Sequence, residues 1–284
     1  MRYDFIKSQI NKYIATNRFL RKLFYLFLDL LILRQWYVKK YIHKYFSDKS
    51  TFYDAGAGFC QYSDFVLSHY KYSNVFATDL KDDFLQSYQK SLGKIPFPSG
   101  QGWTRSGRGR GKNHKQQHKQ ARFKYQSLDL ATKENILSDP VDFIICIDTL
   151  EHIDDDTQVI QNFYNILKPN GYLLLSTPSN FDESAKFAAE HVRDGYALSD
   201  LIAKVQNTGL VVVETEYSYG FWGQIYWNLV MKVSITLLNI SKWFILILPI
   251  YLLIVLPLSI ICMLIDFYSK NKQGNGILLI AQKP

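Results

Sequence analysis

Two short apolar runs, each closing on an aspartate, frame a glycine turn in the first third of the chain. The first is Tyr53-Asp54-Ala55-Gly56-Ala57-Gly58-Phe59-Cys60; the second, Asn74-Val75-Phe76-Ala77-Thr78-Asp79, places Asp79 21 residues after Gly58. A strand that hands over to a glycine turn and then a helix lets backbone N–H groups approach a ligand with no Cβ in the way. A carboxylate about 20 residues further on is positioned to accept both hydroxyls of a ribose. The pairing reads as a nucleotide site. A dinucleotide fingerprint needs a third glycine three places after Gly58, and that position is Gln61, which argues against NAD.

The pattern Asp54-x-Gly56-x-Gly58 resembles motif I of the class I S-adenosylmethionine-dependent methyltransferases, where the turn faces the methionine part of the cofactor and no phosphate is held. That family often has a small residue where Cys60 stands, so Cys60 is expected to crowd the turn. The resemblance implies that Asp79, followed by Leu80, binds the ribose. It also implies that Asp129 of Ser127-Leu128-Asp129-Leu130 accepts from the adenine amino group, with Leu130 beside it. The run from Val141 to Ile153 resembles the family's fourth strand and the loop after it, which brings Ile147 and Asp148 to the cofactor.

Further on, a helix from about Thr157 to Leu167 stops at Lys168-Pro169-Asn170-Gly171, and Tyr172 to Pro178 supplies a fifth strand. A helix ending at Thr208-Gly209 precedes a sixth strand, Leu210 to Glu214. Gly276 to Gln282 resembles the last, antiparallel strand. The expected fold is therefore α/β: a doubly wound, Rossmann-like, seven-stranded sheet of the class I methyltransferase type, with N-terminal helices and an apolar helical insertion before the last strand.

Charge divides the chain further. Residues 1–49 hold 11 Lys/Arg against 3 Asp/Glu, and residues 101–124 hold 8 against none. The rest of the core, 50–100 plus 125–214, holds 9 against 20. An acidic core argues against nucleic acid as a partner. The basic low-complexity loop 99–122 reads as a solvated insertion. Three scattered cysteines, Cys60, Cys146 and Cys262, show neither disulfide nor zinc spacing. The expected division is residues 1–49 as basic amphipathic helices, 50–216 with 274–284 as the methyltransferase domain, and 217–273 as a membrane-associated or lid insertion.

The insertion contains 23 consecutive uncharged residues, Trp243 to Ile265, more than the roughly 20 that cross a bilayer core. A single crossing would put the sixth and last strands on opposite sides of a membrane, so the segment is expected to fold back as a re-entrant or interfacial hairpin. Pro249 and Pro257 are the expected bends, and Ile225 to Ile240 is a companion amphipathic helix. A soluble lid covering a substrate pocket is the alternative. At the amino end, Arg18 to Phe46 reads as one or two helices with an apolar stripe flanked by Lys and Arg, suited to an anionic membrane surface. It serves equally as a helix packed over the sheet.

Methyl transfer from a sulfonium needs alignment and, for a hydroxyl acceptor, a base. The candidate bases are His152 and, second, His191. Asp148-x-x-Glu151-His152 also resembles the acid-x-x-Glu-His cluster of the quinone-pathway O-methyltransferases, which can hold a divalent metal; no metal is expected here, because Asp148 is a shorter acid than that family's Glu. The sequence thus points to transfer from S-adenosyl-L-methionine to a lipid or lipid-linked acceptor, with oxygen as the acceptor atom, at the cytoplasmic face of a membrane. The alternatives are a soluble saccharide or other small-molecule acceptor with a mere tether, and a silent scaffold of the same fold. Oligomeric state is not legible from these residues.

Overall fold

The computed structural model describes residues 14, 16–81, 83–92, 122–133, 137, 139–181 and 192–284. Its centre is a seven-stranded sheet in the order β3-β2-β1-β4-β5-β7-β6. The strands are β1 (Thr51–Ala55), β2 (Asn74–Asp79), β3 (Phe123–Ser127), β4 (Val141–Ile147), β5 (Leu167–Pro178), β6 (Val211–Ser218) and β7 (Gly276–Gln282). The pairs β1–β2, β1–β4, β2–β3 and β4–β5 are parallel, whereas β7 runs antiparallel between β5 and β6. β4 is apolar on both faces because helices cover both sides of a doubly wound sheet, and Phe143, Ile144, Ile145 and Cys146 are all buried. β6 lies at the edge and exposes Val211 and Val213.

On one face, α1 (Arg18–Leu31) and α2 (Leu33–Tyr45) precede the sheet, followed by α3 (Gln61–His69) and α4 (Asp83–Leu92). The first two are separate helices because Ile32 takes an extended conformation, φ −123° and ψ 103°. Asn17 caps α1 by accepting from the N–H groups of Phe19 and Leu20. The other face carries α5 (Asp156–Ile166), capped by Asp155 accepting from Gln158 N–H, and α6 (Leu198–Asn207). Two apolar layers result. Tyr37, Val38, Tyr41 and Ile42 of α2 pack in the first, and Val159, Ile160 and Phe163 of α5 with Leu201 and Val205 of α6 in the second.

Between β6 and β7 the chain rises and returns as a helical hairpin. The ascending limb is α7 (Phe221–Trp227), a π-turn (Asn228–Lys232) and α8 (Val233–Ile240), and the descending limb is α9 (Leu248–Tyr268). The fold-back lies between the two limbs, where Ser241 is extended and a 3-10 turn spans Lys242–Leu246. This corrects the expectation of bends at Pro249 and Pro257. Pro249 sits in the first turn of α9, where no intrahelical N–H bond is lost, and the helix continues past Pro257. α9 is long and apolar enough to cross a membrane.

The base of the hairpin is locked by one buried carboxylate. Asp266 accepts from Gly223 N–H (3.0 Å) at the start of the ascending limb and from the Tyr37 hydroxyl (2.9 Å) of α2. Asp266→Ala leaves the Gly223 N–H buried without its partner, at about 1–3 kcal/mol, whereas the Tyr37 hydroxyl keeps the backbone carbonyl of residue 266 (2.9 Å) as acceptor. The variant is expected to unfold at lower denaturant concentration, by about 1–3 kcal/mol in stability; an unchanged midpoint would show that this clamp is not what holds the hairpin to the domain.

Candidate active site at the carboxyl edge of the sheet

The turn after β1 lies where the parallel strands end. Gly56 (φ 78°) and Gly58 (φ 50°) both occupy the left-handed region that glycine enters without strain. They differ in surroundings. A Cβ on Gly56 would stand 2.3 Å from Thr149 Oγ1, so glycine there permits close contact with the loop after β4. A Cβ on Gly58 would meet nothing within 4 Å, so this part of the turn faces open space. Cys60 is accommodated at φ 54°, fully buried, rather than by displacing the turn. A non-glycine residue in that conformation costs roughly 1–2 kcal/mol.

Asp79 meets the same turn: its Oδ2 accepts from Gly58 N–H at 2.9 Å and its Oδ1 from Lys81 N–H at 3.3 Å. Leu80 projects outward with 71% of its surface exposed, and its carbonyl accepts from the Ser127 hydroxyl at the end of β3. Asp129 follows on that side, exposed, with Oδ1 accepting from Ala131 N–H at 2.9 Å. Leu130 is buried, and the Asn162 side chain binds its carbonyl. Ile147, half-buried, closes β4 opposite the glycine turn.

Asp54 points inward. It accepts from the Ser63 hydroxyl at 2.7 Å in the first turn of α3, and burial pushes its carboxyl up to about 7 against that hydrogen bond.

Asp148 takes φ 47°, donates its N–H to Ser176 O at 2.8 Å, and forms an ion pair with Arg34 from the first turn of α2. Burial alone would weaken the Arg34 charge; Asp148 more than restores it. Arg34 N–H also donates to the Tyr219 hydroxyl (3.2 Å), just before the hairpin, so three distant segments meet at this edge. Glu151 is buried, one of its carboxylate oxygens has no hydrogen-bond partner, and burial together with the Asp148 charge raises it well above the usual carboxylate range.

His152 sits exposed at the end of the 3-10 turn Leu150–His152. Arg193 grips both sides of it by donating to the carbonyls of Leu150 (3.0 Å) and Asp154 (2.9 Å), and Val192 N–H donates to Glu151 O (3.0 Å). His191 and the basic loop through Ala121 lie outside the described residues. Among the described residues no three His, Cys, Asp or Glu side chains gather as a metal site. Arg34, Tyr219 and Arg193 were missed in the sequence, because each acts through a partner distant along the chain and carries no local motif.

A family model described as "Methyltransferase domain" matches residues 74–215, which is 142 of the 284 residues. No curated protein sequence matches the chain. Among solved structures, a putative sarcosine dimethylglycine methyltransferase from Galdieria sulphuraria is 14% identical with a TM-score of 0.53, covering 88% of this chain and 83% of that one. Phosphoethanolamine N-methyltransferase 2 from Haemonchus contortus, in complex with S-adenosyl-L-methionine, is 16% identical with a TM-score of 0.54. That match covers 86% of this chain but only 51% of the other. A putative methyltransferase from Bacillus halodurans is 14% identical with a TM-score of 0.52, over 87% and 98% of the two chains. At such identities the likeness is one of fold.

The buried Asp54 gives a pH signature. The folded chain holds its proton more tightly than the unfolded chain, whose aspartate titrates near 4. Its neutral form therefore stabilises the native state at low pH, and that contribution is lost as pH rises from about 4 through about 7. Asp54→Asn keeps the shape without the titration. Relative to the native chain it is expected to gain up to roughly 4 kcal/mol across that window in urea unfolding, whereas parallel pH profiles would exclude this role for the buried proton.

Proposed function

Because the chain belongs to the methyltransferase-domain family and uses S-adenosylmethionine as methyl donor, we propose that its acceptor is the hydroxyl of a lipid or lipid-linked molecule at the cytoplasmic face of a membrane. The observation that carries this reading is the hairpin at the carboxyl edge. The outward side of α9 is a continuous apolar row, Ile250, Leu253, Ile254, Leu258, Ile261, Leu264 and Ile265, with Leu253 76% and Ile254 72% exposed. Along the ascending limb Gln224, Asn228, Lys232, Thr236 and Asn239 form an exposed polar row, with Phe221, Trp222 and Ile240 exposed at its two ends. A helix pair with one apolar and one polar side suits an interface between lipid and water. The hairpin begins beside Tyr219, which touches Arg34 and through it Asp148. An acceptor held in the lipid phase thus meets the site without crossing bulk water.

The turn fits the donor. The open space in front of Gly58 would take the methionine part against backbone, and the Asp79 carboxylate at the same turn would accept the ribose hydroxyls. Asp129 would accept from the adenine amino group, and Leu80 and Ile147 would supply apolar surface around the ring, with the buried Leu130 packed behind them. Asp54 holds the start of α3, and Gly56 lets the loop after β4 approach. When bound, the cofactor supplies a methyl group already activated by a sulfonium. His152, on the turn that Arg193 clamps, takes the proton from the acceptor oxygen at an imidazole nitrogen. Asp148 holds Arg34 over the edge.

The test is transfer of labelled methyl in membranes containing the native chain, Asp79→Ala or His152→Ala, with products divided between organic and aqueous phases. Label is expected in the organic phase, absent with Asp79→Ala and lower by about 10²–10⁴-fold with His152→Ala. Asp79-dependent label confined to the aqueous phase would overturn the lipid acceptor, and a His152→Ala rate equal to native would remove the base.

A further inference from the structure

Helix α1 has two faces with different tasks. Its inner face holds the cofactor turn. The Tyr25 hydroxyl donates to Phe59 O at 2.5 Å, and Phe24 packs edge-on against the Phe59 ring with centroids 5.1 Å apart. Phe59 directly follows Gly58, whose N–H meets Asp79. One turn away, the buried Arg21 donates to Ser91 Oγ (2.6 Å) and lies over the Tyr88 ring, fastening α1 to α4. The outer face carries Phe19, Leu20, Leu23, Leu26, Phe27 and Leu30, all exposed. At about 100° per residue these six fill an arc of roughly 120°, and the exposed Arg18 and Lys22 lie along one margin. The acid of α1, Asp29, is turned to Lys39.

An apolar stripe bordered by cations matches the surface of an anionic bilayer, which supplies apolar depth and negative charge together. We propose that anionic lipid docks on the outer face of α1 and, by holding that helix against Phe59, tightens binding of the methyl donor at the Gly58–Asp79 turn. Coupling of this kind is reciprocal: bound cofactor strengthens the hold on the lipid surface by the same factor. The inference rests on the reading above for the cofactor site and for a membrane partner, but not on which acceptor is methylated or on the hairpin.

The experiment measures S-adenosylhomocysteine affinity of the full chain by calorimetry with phosphatidylcholine vesicles and with vesicles of phosphatidylcholine and phosphatidylglycerol in equal parts, alongside co-flotation. Anionic vesicles are expected to tighten binding about fivefold or more, and the gain is expected to vanish with Lys22→Glu and with Leu26→Glu/Phe27→Glu. These side chains are exposed, so the variants fold; their affinity in neutral vesicles is expected to equal the native value. The same affinity in both vesicle types, or a gain that survives the variants, overturns the proposal. So does loss of self-association in sedimentation by the apolar variant, which would mark the face as a contact between two copies. Failure of the native chain to float with neutral vesicles would instead count against the hairpin as a membrane element, while the anionic effect is still read.

Discussion

The position of β7 governs the rest of the molecule. It runs antiparallel between two strands that both end at the carboxyl edge, so Gly276 starts beside Pro178 and Ser218. Everything between Ser218 and Gly276 must leave from and return to that one edge. An apolar helix of 21 residues is therefore one limb of a hairpin, whatever its length would otherwise allow. The closing bond falls where the two limbs meet the domain, at Asp266 with Gly223 and Tyr37.

The same edge receives the amino-terminal helices. The break at Ile32 lets α1 lie along the glycine turn while α2 crosses the sheet, its Lys40 paired with Glu216 and its Lys44 with Glu214 of β6. Arg34 stands at the corner and reaches Asp148. Both side chains keep some exposure, so the pair adds little stability and acts mainly by fixing position. It ties the loop after β4, the start of the hairpin and the α1–α2 corner together.

Much of this was legible in sequence because the signals are local. The two glycines, Asp79 at its spacing, and the apolar runs of β4 and β7 each reveal themselves within a dozen residues, and their order along the chain implies the sheet. The fold-back was misplaced because proline is read as a breaker, whereas at Pro249 the first turn needs no N–H from it and at Pro257 the neighbouring turns carry the helix on. Arg34 was hidden because its sequence neighbours describe only an amphipathic helix, and its partner is assembled by the fold. Glu151 was read as part of a motif, but nothing along the chain announces that burial and Asp148 together hold its carboxyl high.

In the proposed membrane setting, the polar row also decides how the hairpin lies. Two limbs of about 20 residues, at about 1.5 Å each, could span a hydrocarbon core about 30 Å thick. Standing upright, however, the ascending limb would place exposed Lys232 near its middle, at roughly 2.5–3.5 kcal/mol, together with Asn228 and Gln224. Lying along the surface avoids that cost: α9 turns its apolar row into the acyl region while Lys232 and its polar neighbours stay in water. The burial of α9 agrees with this. Ser259, Cys262, Met263 and Asp266 are buried toward the base and Leu248 at the other end of α9, whereas α8 buries no side chain of its own. In that setting the exposed apolar row of α9 would gain its missing apolar contact from lipid, at about 1.5–3 kcal/mol per buried leucine or isoleucine. Summed along α9, that would be comparable with the whole net stability of a domain, enough for the proposed surface orientation to order a helix whose outer row has no protein partner among the described residues.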